Sequence, residues 1–110
     1  SGGIGGSGPE VKLIIMASEG NQLYPGFEIR DWNGKTISIR NKGDLGTYDF
    51  VTLNNSLAEI RKSFSSDQIS VVVYPDVMYG TLIQTIDLCK QNGFPNVIYK
   101  PASVSYGTGG

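Results

Sequence analysis

The hydrophobic period of this chain changes near its middle, and that change limits the possible folds more than any other feature. From Phe27 to Trp32, Phe27 and Ile29 alternate with Glu28 and Arg30. From Lys35 to Arg40, Ile37 and Ile39 alternate with Thr36 and Ser38. A period of two sends neighbouring side chains to opposite faces of a strand. Between the runs, Asn33-Gly34 tolerates positive φ at both positions, so the pattern predicts a hairpin closed by a type I′ turn. Further on, Leu53, Leu57, Ile60 and Phe64 are spaced as one face of a helix, with Glu59, Arg61 and Lys62 toward water. A strand-forming first half must bury its apolar face against something, and the helical second half supplies the cover.

The remaining elements follow from shorter signals. Val11 to Ala17 (VKLIIMA) is an apolar run of strand length, of the kind covered on both faces. Asn41 to Asp49 has little periodicity and reads as an exposed loop. Asn54, Asn55 and Ser56 are candidate N-caps for the first helix, and Ser56 with Glu59 fits a capping box. Ile69 to Val73 is a buried strand, and a second helix from about Tyr79 is expected to bury Leu82, Ile83, Ile86 and Cys89. Gly93 suits the position just past its end, and Pro95 blocks continuation. Asn96 to Lys100 is a last short strand that completes a crossover unit. The expected fold class is α+β, two layers, a mixed sheet of about 4–5 strands with two helices on one face.

Composition narrows the function. At 110 residues and 39% hydrophobic content, the chain supports one modest core. Residues 10–101 read as a single domain, with glycine-rich segment 1–9 as a flexible linker or an engineered addition and 102–110 as a flexible tail. Within the first of these, GIGGSG at residues 3–8 matches a dinucleotide fingerprint. It has no strand before it and Pro9 after it, so it reads as linker. A net charge of −1 gives no electrostatic footprint for nucleic acid or anionic lipid. The lone cysteine excludes an internal disulfide and a cysteine metal site, and the absence of histidine removes the commonest metal ligand and general base. No metal or other cofactor is therefore expected.

The junction VVVYPDVMYGT, Val71 to Thr81, is where ligands sit in many α/β proteins. Its candidates for chemistry are Asp76, Tyr79 and Thr81, which lack a paired acid, a metal ligand or a basic clamp. Asp76 reads instead as a turn residue accepting backbone N–H bonds, Tyr74 and Tyr79 as packing residues, and Cys89 as a small buried hydrophobe. No catalytic residue is assigned. A small-ligand domain or an enzyme using Tyr74 to Thr81 remains the alternative from a different class, and a generic α+β interaction domain the nearer one.

Residues 69–100, ISVVVYPDVMYGTLIQTIDLCKQNGFPNVIYK, resemble the C-terminal periplasmic domain of the ExbD/TolR family of biopolymer transport proteins. The shared pattern is an apolar strand (Val71 to Val73), an acidic turn (Asp76) and a helix start (Tyr79-Gly80-Thr81). It continues with an apolar helix carrying an acid (Leu82 to Ile86 with Asp87), Gly93 near its end and a final strand (Val97 to Tyr99). Leu53 to Phe64 matches the preceding helix more loosely. Tyr74 stands where the family often has a first aspartate, and the loop from Asn41 to Asp49 is longer than the family pattern. The resemblance implies a periplasmic domain, without chemistry of its own, that forms a homodimer and engages a TonB-like or Tol-type transducer or peptidoglycan. It implies membrane attachment only through an N-terminal helix that is not in this sequence. Pro75, Asp76, Tyr79 and Gly80 would then be a structural turn and helix start, with Gly80 letting Tyr79 and Thr81 pack closely. Recognition would run along the edge of Val97, Ile98, Tyr99 and Lys100.

Overall fold

A computed structural model describes residues 10–17, 26–41 and 47–101. The expected linker and tail, the GIGGSG segment and most of the loop after Asn41 lie outside the described residues. Five strands and two helices follow the order β1 (Lys12–Ile15), β2 (Gly26–Arg30), β3 (Thr36–Arg40), α1 (Phe50–Ser63), β4 (Gln68–Val73), α2 (Tyr79–Gln91) and β5 (Asn96–Pro101). The sheet is mixed, in the order β3-β2-β1-β4-β5, with β1 antiparallel to β2 and parallel to β4, and β4 parallel to β5. The fold is a two-layer α+β arrangement, as the change of period implies.

Register decides which side chains share the core. Leu13 lies beside Ile29 and Val71, and Ile15 beside Phe27 and Val73. These residues are buried in one cluster with Leu53, Leu57 and Ile60 of α1, Cys89 of α2, and Phe64 and Phe94. The opposite face of the sheet carries Lys12, Glu28, Arg30, Ser38 and Lys100 among its side chains, so one face only is apolar throughout.

The hairpin forms, but with a different turn. Asp31 N–H donates to the Lys35 carbonyl at 2.9 Å and Gly34 N–H to the Asp31 carbonyl at 3.1 Å. Trp32, Asn33 and Gly34 therefore form a three-residue loop in which only Gly34, at φ +86°, is left-handed. Asp31 decides this outcome, because its Oδ1 accepts from both Asn33 N–H and Lys35 N–H and holds a first bend with negative φ at Trp32 and Asn33, where a type I′ turn needs positive φ at both central residues. The loop also brings Trp32 onto Phe64, with ring centroids 4.8 Å apart.

Helix α1 starts well before the expected caps Asn54, Asn55 and Ser56. Asp49 is its N-cap, accepting from Thr52 N–H at 3.0 Å and Thr52 Oγ1 at 2.7 Å. A carboxylate cap at 49 extends the helix by a full turn and supersedes the Ser56–Glu59 box. The end of the presumed exposed loop is therefore structured: Asp49 is buried, and the Tyr48 ring packs 5.3 Å from Phe27 while its hydroxyl donates to the Met16 carbonyl. Arg61, expected to face water, bridges α1 to the end of α2. Its guanidinium donates to the Ser65, Ser66 and Gly93 carbonyls and lies 5.0 Å from the Phe94 ring centre. Gly93, at φ +94°, closes α2: Phe94 N–H bonds the Cys89 carbonyl and Gly93 N–H the Lys90 carbonyl, and the chain turns into the core at Phe94.

Candidate functional site at the free edge of β5

Among the described residues, strand β5 closes one end of the sheet. Its register places Val97 beside Ile69 and Tyr99 beside Val71, on the helix side, with Ile98 beside Ser70 and Lys100 beside Val72 on the other. Asn96 N–H donates to the Asp67 carbonyl at 3.1 Å, toward β4. Successive residues of a strand turn their N–H and C=O groups to alternate sides. Ile98 and Lys100 therefore follow Asn96 toward β4, and Val97 and Tyr99 present theirs outward. Pro101 falls in the outward phase, where its missing N–H breaks no ladder bond. Ile98 is 39% and Tyr99 53% exposed.

Helix α2 overhangs this edge with uncovered apolar surface. Leu82 and Ile86 are half-buried and Ile83 is 38% exposed, so the buried face is narrower than the apolar spacing suggested; it centres on Cys89 and on Thr85, whose hydroxyl donates to the Thr81 carbonyl at 2.8 Å. Asn92 Nδ2 donates to Asn54 Oδ1, which ties one flank of α2 to α1. Tyr79 and Ile83, one helical turn apart, lie on the other flank, on β5's side.

The Tyr74 to Thr81 junction sits at the carboxyl ends of β4 and β5. Val77 N–H bonds the Tyr74 carbonyl at 3.2 Å across a turn with Pro75 in its second position, where the fixed φ fits. Asp76 is exposed and its carboxylate takes no hydrogen bond from another described residue, unlike the turn acceptor expected of it. Tyr79 is 75% exposed and not a packing residue, and a Cβ at Gly80 would meet nothing within 4 Å, so Gly80 serves no close approach. Both residues lie in the first turn of α2.

An open cleft of about 290 Å³ connects junction and edge, lined by Val73, Tyr74, Pro75, Val77, Tyr79, Leu82, Tyr99 and Pro101. No charged side chain lines it, and none of its three tyrosines makes a ring contact with another described residue. The sequence singled out Tyr74, Tyr79 and Tyr99 separately; the parallel pairing of β4 with β5 brings them to one place. A second cleft, of about 220 Å³, lies at the hairpin loop beside Trp32. Its acids are engaged already, Asp31 in the turn and Glu59 with Lys62 at 3.1 Å.

Burial pushes the Cys89 thiol up to about 12, which keeps it protonated and unreactive at neutral pH. Among the described residues no group of three His, Cys, Asp or Glu side chains could hold a metal ion, and no helix is long and apolar enough to cross a membrane. What the site offers is outward main-chain donors and acceptors beside uncharged aromatic surface. No family model, no curated protein and no solved structure matches the chain.

Proposed function

We propose that this domain is a binding and dimerisation module that works through the free edge of β5, and that it acts as an ExbD/TolR-like periplasmic domain of a proton-motive-force-coupled complex. The observation that carries the first part is the outward backbone of Val97 and Tyr99 at the end of the sheet. Such a row is a template for an added strand, whose main-chain bonds give affinity while alternate side chains give selectivity. The family part rests on the resemblance alone. Its supporting fact is the order of elements: apolar strand, acidic turn, helix and final strand fall on β4, Pro75-Asp76, α2 and β5. In that reading the partners are a second copy, a TonB-like or Tol-type transducer, or peptidoglycan, and the domain is tethered in the periplasm by a preceding membrane helix.

A second copy suits the edge in one register. In an antiparallel twofold pair centred on Ile98, Val97 of each copy faces Tyr99 of the other, and all the outward N–H groups of both find carbonyls. Centring on Tyr99 instead sets Val97 against Pro101, whose missing N–H leaves the Val97 carbonyl without a donor. The Ile98 register also places Asn96 against Lys100, so no like charges are opposed. Helix α2 contacts both β4 and β5. With strands about 4.8 Å apart, two such helices would run about 10 Å from each other, the spacing of packed helices, with their Ile83 flanks between them.

Amide hydrogen exchange tests this with a built-in control. In the monomer, Val97 and Tyr99 exchange fast while Asn96, Ile98 and Lys100 are slowed by β4; on self-association, or on binding an extended partner, Val97 and Tyr99 become slow. Slow exchange at Val97 and Tyr99 in a chain that sediments as a monomer would defeat the proposal. A membrane helix encoded upstream of Pro9 in the gene would support the ExbD/TolR part, and a gene without one would count against it. A generic α+β interaction domain is the second reading; the same edge favours it if no such helix precedes the domain.

A further inference from the structure

We propose that the open face of the sheet, turned away from both helices, is a second docking surface whose partner is an acidic, extended segment of another protein. Register builds this face from two rows of side chains. One runs Thr36, Arg30, Lys12, Ser70, Ile98 from β3 to β5, and the other Ser38, Glu28, Ile14, Val72, Lys100. Neighbouring strands lie about 4.8 Å apart, so the backbones of Arg30, Lys12 and Ser70 fall within about 10 Å. The face is basic although the chain carries a net charge of −1. Within the strands, Lys12, Arg30, Arg40 and Lys100 are cations and Glu28 is the single acid; the other described acids sit in helices, turns or the approaches to strands. Arg40 is engaged already, which leaves Lys12, Arg30 and Lys100 to the face.

The first row holds the elements of an anion site. Lys12 and Arg30 are directly opposed, an arrangement of like charges that costs stability. Glu28 offsets Arg30, with Oε2 2.7 Å from Nε, but Lys12 has no ion pair with another described residue, Glu10 just before β1 included. Ser70, on the other side of Lys12, is buried, and its hydroxyl makes no hydrogen bond with another described residue. A carboxylate set over Lys12 is within reach of the ammonium, the guanidinium and that hydroxyl, and would turn the repulsion between two cations into a shared attraction.

The rest of the face selects the kind of chain that brings the carboxylate. Lys100 lies two strands and two residues from Lys12, about 12 Å by strand spacing and rise, and acids four apart on one side of an extended segment are about 13 Å apart. Ile14, Val72 and Ile98 give the residues between them an apolar floor. No aromatic side chain lies in either row, so single-stranded nucleic acid finds nothing on which to stack its bases. Met78, Tyr79 and Ile83, the exposed side chains suited to a lipid surface, belong to α2 and its cap in the opposite layer. A second copy presenting the same face would oppose cation to cation, so the partner is a different chain. This surface is separate from the β5 edge and does not depend on the pairing proposed there.

An amide chemical-shift titration at low salt, with an oligoglutamate of about ten residues, tests the proposal. Saturable binding is expected, with shifts centred on Lys12, Arg30, Ser70 and Ile98 and weakening as salt rises. Lys12→Gln should weaken binding by about fivefold or more without lowering the unfolding midpoint, since it also removes the opposed charge. Lys100→Gln, at an exposed position, should weaken it by about threefold, and Lys90→Gln, which removes a cation from the helix layer, should leave it unchanged. The proposal is overturned if no saturable binding occurs at millimolar peptide, or if Lys90→Gln weakens binding as much as Lys12→Gln. Tighter binding of an oligothymidylate of the same length, or of vesicles of equal parts phosphatidylcholine and phosphatidylglycerol, would overturn the choice of partner.

Discussion

The two helices cover the same sheet but are finished differently. Helix α1 has a carboxylate N-cap at Asp49, buries Leu53, Leu57 and Ile60 and holds the end of α2 through Arg61. Helix α2 begins at Met78 without a side-chain cap, buries only Thr85 and Cys89, and leaves Met78, Tyr79 and Ile83 exposed. Apolar surface is left uncovered on that flank, beside β5, whose outer side pairs with no other described strand, and this is where the proposed interface lies. The contrast teaches that one helix spends its apolar face on the fold while the other leaves part of its face uncovered.

The largest effect that probes this contrast is thiol reactivity on the two sides of α2. Cys89 should react with a maleimide only through unfolding, at least about a thousandfold more slowly than a free thiol. A cysteine placed by Ile83→Cys in a Cys89→Ala background should react at nearly the free rate; comparable rates would break the distinction. The pH dependence follows from the same burial. Unfolded Cys89 ionises near 9.0 and folded Cys89 near about 12. Stability from this group is thus complete below pH 9 and declines as pH rises from there toward 12, and Cys89→Ala should remove that decline from alkaline denaturation curves.

Next in size, Leu57→Ala should cost about 3 kcal/mol in urea unfolding, whereas Ile83→Ala should stay within about 1 kcal/mol for the monomer. Equal losses would mean that the α2 flank belongs to the core after all. Arg61→Ala removes the donor to three carbonyls and the cation over Phe94; a loss of about 2 kcal/mol is expected, and one under about 0.5 kcal/mol would show that the bridge between the helices is ornamental.

The smallest effect concerns the caps. Asp49→Ala should destabilise by about 1 kcal/mol, and Met78→Asp, at a position whose φ of −70° and ψ of 145° already suit an N-cap, should stabilise by about 0.5–1 kcal/mol. A thermal scan that moves down for the first variant and up for the second would sharpen the contrast between the helix starts. No gain at Met78 would mean that the first turn of α2 is already satisfied in another way.

Much of this was legible because local periodicity reports burial. Phe27 and Ile29, and Leu53, Leu57 and Ile60, all lie where their spacing put them. The misjudged positions have competing local bonds or neighbours distant in sequence. Asp31 overrode the Asn33-Gly34 signal by binding two backbone N–H groups, and Asp49 lay in a stretch whose polarity suggested open loop. Ile83 belongs to an apolar stripe wider than the sheet beneath it, and nothing in the helix sequence states where the sheet ends. The candidate site divides in the same way. Pro101 already hints at an edge from sequence, while the meeting of Tyr74, Tyr79 and Tyr99 does not, because they are joined only when β5 pairs with β4.

By itself, then, the sequence determined the kinds of elements, their order and the α+β class, since alternation and helical spacing act over a few residues and need no partner to be read. Tertiary structure decided the strand order, and with it that β5 is an edge, that Val97 and Tyr99 turn their backbones outward, and that one flank of α2 stays uncovered. The reason is that an edge is a property of what does not lie alongside, and burial on a flank depends on how far the opposite layer extends; neither is a quantity that any local stretch of residues carries.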